Sequence, residues 1–406
     1  MIPMDEAVRI VLEHTRTVDA ISADLMDSLG RVLAEDVASD VDMPPFNKSM
    51  MDGYAVFGED LREASAERPA VLEVIEEIPA GTVPKKHVSG GQAARIMTGA
   101  PIPEGADSVV MVEDTADEAD GKRVKVFEPT EIGENVIPLG EDLRQGQVVL
   151  RSGKVIRPPE VGILASVGAV TVAVYRQPTV AVIATGSEVV EPKNRPEPGQ
   201  IRNSNAYSMM AQVERAGAKA QYLGIVEDRE SDLERVIAEG LAACDVVLLS
   251  GGVSAGVYDL VQTAMRVCGV EVLFERIRMK PGKPLTFGVR GSQLVFGLPG
   301  NPVSAVVGLE LLVRPAIRKM QEMEEIHRPI VRGILTEGFR QTPGRKQYVP
   351  ALCKAHNGVW ETCWVGHHGS GDLFSLSRAN SLFVVEAEIE RLNEGDAVDV
   401  ILLEEW

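Results

Sequence analysis

Aromatic side chains are scarce, with tryptophan, tyrosine and phenylalanine together making up 4% of the 406 residues. Stacking platforms for single-stranded nucleic acid therefore have little to be built from. There is no Lys/Arg-rich block either, and 41 basic against 60 acidic residues leave a formal charge of −19. A nucleic-acid binder needs a basic patch strong enough to overcome that field, so no nucleic-acid partner is expected. The four cysteines, Cys244, Cys268, Cys353 and Cys363, are widely spaced and form no CxxC pair. They lack the paired spacing of a zinc site and read as reduced thiols. Six histidines are too few to suggest a histidine-based metal centre, and His367 and His368 of "HHGSGDL" read as part of an exposed Gly/Ser loop. The longest apolar runs fall short of a membrane span. The opening "MIPMDEAVRIVLEH" mixes acids with apolar residues and reads as an amphipathic helix rather than a signal peptide. A cytoplasmic protein with no membrane partner is the expectation.

What is present is ordinary globular composition, 45% hydrophobic and 25% charged, in a chain long enough for two to four domains. Ala7, Val8, Val11 and Leu12 recur at helical spacing, and "DLMDSLGRVLAED" predicts a second short helix before Pro44 and Pro45. From Phe46 to about Leu139, "RPAVLEVIEEI", "DSVVMVEDT" and "KRVKVFEP" alternate with Gly/Pro turns and predict a small β domain. "RPPEVGILASVGA" returns to helix, opened by Pro158 and Pro159. Residues 178–325 alternate strand and helix, the pattern of a parallel sheet covered on both faces. Five short runs follow Arg328: "VRGILTEGF", "KQYVPALCK", "GVWETCWVG", "LFVVEAE" and "DAVDVILLEE". They predict a closed sheet or small barrel. The fold class is thus an α/β multidomain chain.

Ligands of parallel α/β sheets bind at the carboxyl ends of the strands. Three small-residue loops fall there: "ATGSEV" at 184–189, "SGGVSAGVYD" at 250–259 and "GLPGNPVSA" at 297–305. Bare backbone N–H groups and helix N-termini accept anions, and Pro302 with Asn301 as cap marks one such start. In the second loop, Gly251, Gly252 and Gly256 let a phosphate approach, with Ser254 beside them. Between the second and third loops, "KPGKP" pins Lys280 and Lys283 with Pro281 and Pro284, a rigid two-lysine clamp for an oxyanion. Glu188 and Asp259 belong to the glycine-rich loops, and Asp228 follows the strand "YLGIVED". Three such carboxylates suit Mg²⁺, which takes a few carboxylates together with water and phosphate. "PPFNKSMMDGYAV" and "TGAPIPEGAD" match no generic catalytic motif, and Asp52-Gly53 by itself also reads as a turn.

Taken together and in order, these loops resemble the MoeA family, the molybdopterin molybdenumtransferases, and the related E domain of gephyrin. The matching pieces are "PPFNKSMMDGYAV", "RIMTGAPIPEGAD", "GEDLRQG", "VIATGSEVVEP", "GQIRNSNAY", "LLSGGVSAGVYDLV", "KPGKPLTFG", "GLPGNPVSA" and "GSGDLFSLSRAN". The resemblance implies four regions: an elongated helical segment from 1–44 plus 141–177, a β domain at 45–140, an α/β molybdopterin-binding domain at 178–327 and a β barrel at 328–406. It implies a homodimer with its site in a cleft between subunits. It implies a reaction in which adenylylated molybdopterin, supplied by a molybdopterin adenylyltransferase, receives molybdenum from molybdate and releases AMP with Mg²⁺ assistance. Residue by residue, it implies roles for Asp52, Thr98 and Asp142, and for Glu188, Asp228 and Asp259 at phosphate and Mg²⁺. It assigns Lys280, Lys283, Ser304, Arg345 and Ser370 to molybdate. Asn47, Lys48 and Met50 depart from the Asp, Asn and Ala common in the family, and Val257 stands where an acid is common. Two alternatives follow from the same resemblance: an adenylyltransferase, which would leave the β domain and barrel unexplained, and a non-catalytic dimeric scaffold.

Overall fold

In a computed structural model of the chain, the described residues are 1–118, 121–251, 258–366 and 369–403, the side chains of Tyr258 and Asp259 excepted. Contacts divide the chain into two compact units. One comprises Met1–Glu35, Ser152–Pro158 and Thr171–Trp406; the other comprises Asp36–Arg151 and Pro159–Val170.

The first unit is built around a six-stranded sheet. In chain order its strands are β1 (Thr179–Thr185), β2 (Lys219–Val226), β3 (Val246–Ser250), β4 (Glu271–Arg276), β5 (Pro284–Arg290) and β6 (Gln293–Leu298), laid out as β2-β1-β3-β6-β5-β4. The first four positions are parallel, as predicted, and β5 and β4 extend the sheet in antiparallel sense. Every residue of β3 is buried, which is why it reads as an unbroken apolar run rather than an alternating one. Helices α1 (Asn205–Arg215), α2 (Glu230–Ala243) and α3 (Tyr258–Val267) connect the strands, and α4 (Pro302–Gly308) follows β6. The predicted face of α2 is the buried one: Leu233, Val236, Ile237 and Leu241. The helix after β6 continues from α4 through a π turn at Leu309–Val313 into Arg314–Met320.

The five runs after Arg328 form β7 (Ile330–Leu335), β8 (Lys346–His356), β9 (Val359–Trp364), β10 (Ser381–Val385) and β11 (Ala397–Leu402). Their order is β8-β9-β7-β11-β10, and β10 pairs back onto β8, closing a five-stranded barrel. The short strand Met279–Lys280 adds in parallel to the start of β8. One hydrophobic core takes in Met4, Ala7 and Val11 of the helix Met4–His14, the sheet, and Tyr348, Leu382 and Ile401 of the barrel.

The predicted helix over "DLMDSLGRVLAED" is not present. Asp24 ends a strand, Ala20–Asp24, that pairs with Thr171–Tyr175, and the chain then turns until Gly30, whose φ is +76°. The apolar spacing misled because Met26 and Leu29 face solvent, while Val32 and Leu33 are buried by bridges to Val155 and Val174 instead.

The second unit holds a six-stranded sheet in the order Ser108–Met111, Gly53–Val56, Gln92–Ile96, Ala70–Ile78, Arg123–Val126, Thr115–Asp117. The three predicted runs are all among these strands. The predicted helix at 157–169 is Pro158–Ser166. Among the described residues no helix is long and apolar enough to cross a membrane.

Candidate active site

The carboxyl ends of β1, β2, β3 and β6 converge in the first unit. Gly251, one residue past β3, has φ +111°, and a Cβ there would lie 2.0 Å from the carbonyl oxygen of Thr185 at the end of β1. A Cβ on Gly300, after β6, would lie 3.3 Å from the Cα of Gly251. Three strand ends therefore come together through bare backbone, which only glycine allows. Asn205 locks this arrangement: its Nδ2 donates to Ser250 Oγ at 2.9 Å and to the Gly300 carbonyl at 2.7 Å.

In front of these ends lies a cavity of about 780 Å³. Glu188, Asp228 and Gly251 line it from the strand ends, and Lys280 and Lys283 from the loop that links β4 to β5. Ser304 of α4 and the barrel residues Arg345 and Ser370 complete the set. The lysine loop is closed by a bond from the Ile277 N–H to the Lys283 carbonyl at 2.9 Å, and Gly282 turns it at φ +97°. Neither lysine, nor Arg345, has an ion-pair partner among the described residues. Three uncompensated cations in one cavity of an acidic molecule present a ready field for an anion.

Ser370 is held from the α/β side. Asn301 Nδ2 donates to Ser370 Oγ at 2.8 Å, and the Val303 N–H donates to the Ser370 carbonyl at 3.1 Å. A hydroxyl that accepts from Asn301 keeps its own proton free to donate into the cavity. Asn301 holds the N-cap position of α4, as predicted, and its Nδ2 is turned to Ser370. Ahead of α1, Asn203, one residue before the N-cap position at Ser204, accepts from the Ala206 N–H through its Oδ1 at 3.1 Å.

Asp228 is half-buried, and its Oδ1 is buried with no hydrogen-bond partner among the described residues. Burial first, and the neighbouring charge of Glu188 second, push its carboxyl above the usual carboxylate range. Two carboxylates this close, one of them desolvated, fit a hard divalent cation. Among the described residues no group of three metal-ligating side chains occurs. Asp259 lies in the first turn of α3, outside the described side chains; Gly252, Ser254 and Gly256, with Val257, lie outside the described residues, as do His367 and His368.

Asp52, Thr98 and Asp142 belong to the second unit. Thr98 donates to Asp52 Oδ1 twice, from its N–H at 2.7 Å and from its hydroxyl at 2.8 Å. The backbone bond, then the hydroxyl bond, lower the Asp52 carboxyl below its ordinary value. Asp52 thus anchors the Met97–Ala100 turn while remaining exposed; Asp142 is exposed as well.

Full-length relatives share this arrangement of chain. A molybdopterin molybdenumtransferase from Bacillus subtilis (strain 168) is 38% identical over 406 residues, covering 100% of this chain and 94% of the relative. The chain belongs to the MoeA family. A molybdopterin molybdenumtransferase from Staphylococcus aureus (strain MRSA252) is 35% identical, covering 99% and 96%. Family models match at 2–168 (MoeA N-terminal region, domain I and II), 181–319 (probable molybdopterin binding domain) and 332–403 (MoeA C-terminal region, domain IV). A solved molybdopterin biosynthesis MoeA protein from Pyrococcus horikoshii OT3 superposes with a TM-score of 0.86 at 32% identity, covering 99% of this chain and 100% of that one. The adenylyltransferase alternative accounts for only the middle match and leaves 2–168 and 332–403 without a purpose.

Asn205, Asn301 and Gln347 were not assigned to the site from sequence. "PGNPVS" suggested only a helix cap at Asn301, and nothing in the sequence marked Asn205 or Gln347.

Proposed function

We propose that the cavity is where molybdenum passes from molybdate to adenylylated molybdopterin with release of AMP, the molybdopterin molybdenumtransferase reaction of the family. The observation that carries this is the set Lys280, Lys283 and Arg345, unpaired among the described residues, facing one cavity with Ser304, Ser370 and the Glu188–Asp228 carboxylates. Lys280, Lys283 and Arg345 supply charge for a tetrahedral dianion, and the Ser304 and Ser370 hydroxyls supply directed donors. Gly251 brings backbone close to the phosphate end of the substrate. Glu188 and Asp228, with Asp259, would hold Mg²⁺, which neutralises charge on a pyrophosphate when bound.

The same proposal includes a homodimer in which Asp52, Thr98 and Asp142 of one copy complete the site of the other. It includes the four-region division at 1–44 plus 141–177, 45–140, 178–327 and 328–406. The adenylylated substrate requires an upstream adenylyl-transfer enzyme. A cytoplasmic setting accords with four free cysteines.

The test is a reconstituted assay with purified adenylylated molybdopterin, Mg²⁺ and either molybdate or tungstate. AMP release that depends on the oxyanion is expected. Formation of adenylylated molybdopterin from ATP, or AMP release indifferent to the oxyanion, would overturn the assignment.

A further inference from the structure

We propose that Gln347 is an oxyanion-positioning residue, supplying the molybdate site with a neutral, directed hydrogen bond beside its cations. The inference rests on reading the cavity as the molybdate site. Gln347 lies on β8 in register with Lys280 of the parallel strand Met279–Lys280, so the two side chains leave adjacent strands at the same level. Period-two alternation separates Lys346 from its neighbours. Lys346 pairs with Glu386 at 3.0 Å, while Arg345 and Gln347 both line the cavity.

Gln347 is only 3% exposed, and its Oε1 is buried with no hydrogen-bond partner among the described residues. A buried acceptor left unsatisfied is costly, and an oxyanion at that point would favour the amide orientation that presents Nε2 instead. A half-turn of the terminal amide exchanges Oε1 for Nε2 at the same point. The wall can therefore offer N–H to an oxo atom, or accept from a protonated oxyanion. Lys280, Lys283 and Arg345 already supply charge. A buried amide on a barrel strand adds orientation without adding charge.

The experiment is calorimetric titration of the full chain with molybdate alone, without the pterin, comparing wild type with Q347L and Q347E. A neutral hydrogen bond lost in Q347L should weaken binding about threefold to tenfold. Q347E preserves shape but sets a carboxylate against the anion. Its deficit should be larger at neutral pH and should shrink as pH falls toward the range where the carboxyl is protonated, a trend that a merely structural residue would not produce. Thermal melts establish that each variant is folded. In turnover, Q347L should raise the molybdate concentration for half-maximal rate more than it lowers kcat. Wild-type affinity retained in both folded variants would reduce Gln347 to packing and sink the proposal alone. No molybdate binding by wild type would instead bring down the cavity reading itself, and this inference with it.

Discussion

Lys280 is half-buried in a chain of net charge −19, yet no carboxylate among the described residues neutralises it. Replacing Lys280 or Lys283 by alanine should raise the molybdate concentration for half-maximal rate roughly tenfold to a hundredfold, the size of a lost charge-assisted hydrogen bond. Steady-state titration with molybdate checks this, and affinity for the adenylylated pterin should change less. Asp228 makes a different prediction because its folded carboxyl is raised by burial and by Glu188. A raised carboxyl favours the folded state below its unfolded pKa, and that contribution is lost as pH rises through the folded value. Asp228→Asn should therefore stabilise the fold at neutral pH relative to wild type, with the gain fading below the ordinary carboxylate range. Mg²⁺ should raise the melting temperature of wild type and do so much less for the variant. Melting curves across pH, with and without Mg²⁺, separate the two effects; a variant that melts below wild type at neutral pH would contradict them.

At the scale of elements, the meeting of β1, β3 and the loop after β6 rests on Gly251. Gly251→Ala combines a positive φ with a Cβ 2.0 Å from the Thr185 carbonyl. Backbone strain of this kind costs at least about 1 kcal/mol, and the clash adds to it. The midpoint of urea unfolding should fall measurably and transfer activity should be lost. How much was legible in the sequence follows the same elements. Strands buried on both faces, such as β3, show as apolar runs, and the loops at their ends show as glycine. The barrel was legible from five short runs because each lies between turn residues. The segment 24–36 was misread because its apolar spacing serves isolated bridges rather than a helix face. β4 and β5 depart from the predicted parallel pattern because short connections, with no crossover helix, join β4 to β5 and β5 to β6. Asn301 and Gln347 were invisible for a common reason: their partners lie 69 residues away at Ser370 and, for Gln347, across a strand register that only the folded barrel sets. Short-range patterns carry no trace of either.

For the molecule as a whole, the sharpest question is where Asp52 works, since it belongs to a unit separate from the lysines. At molybdate concentrations near the wild-type half-maximal value, Asp52→Ala and Lys280→Ala should each lose most activity. Co-refolding equal amounts of the two should restore about a quarter of wild-type activity if sites are shared between copies of a randomly assorted two-fold dimer. No recovery, or a fully active monomer by light scattering, would rule out shared sites.

The return of β10 onto β8 has a consequence outside catalysis. A ring of strands has no spare row of N–H and C=O groups along its sides, so neither an unfolded neighbour nor a nascent chain finds a template there. Exposed strand edges must then be sought elsewhere, as at β4, where Glu271, Glu275 and Arg276 put charge along the border of the sheet. Sticky pairing during synthesis should accordingly be least dangerous once the last seventy or so residues have closed, and a chain truncated before β11, with that ring opened, should be far more prone to clump than its modest loss of length suggests.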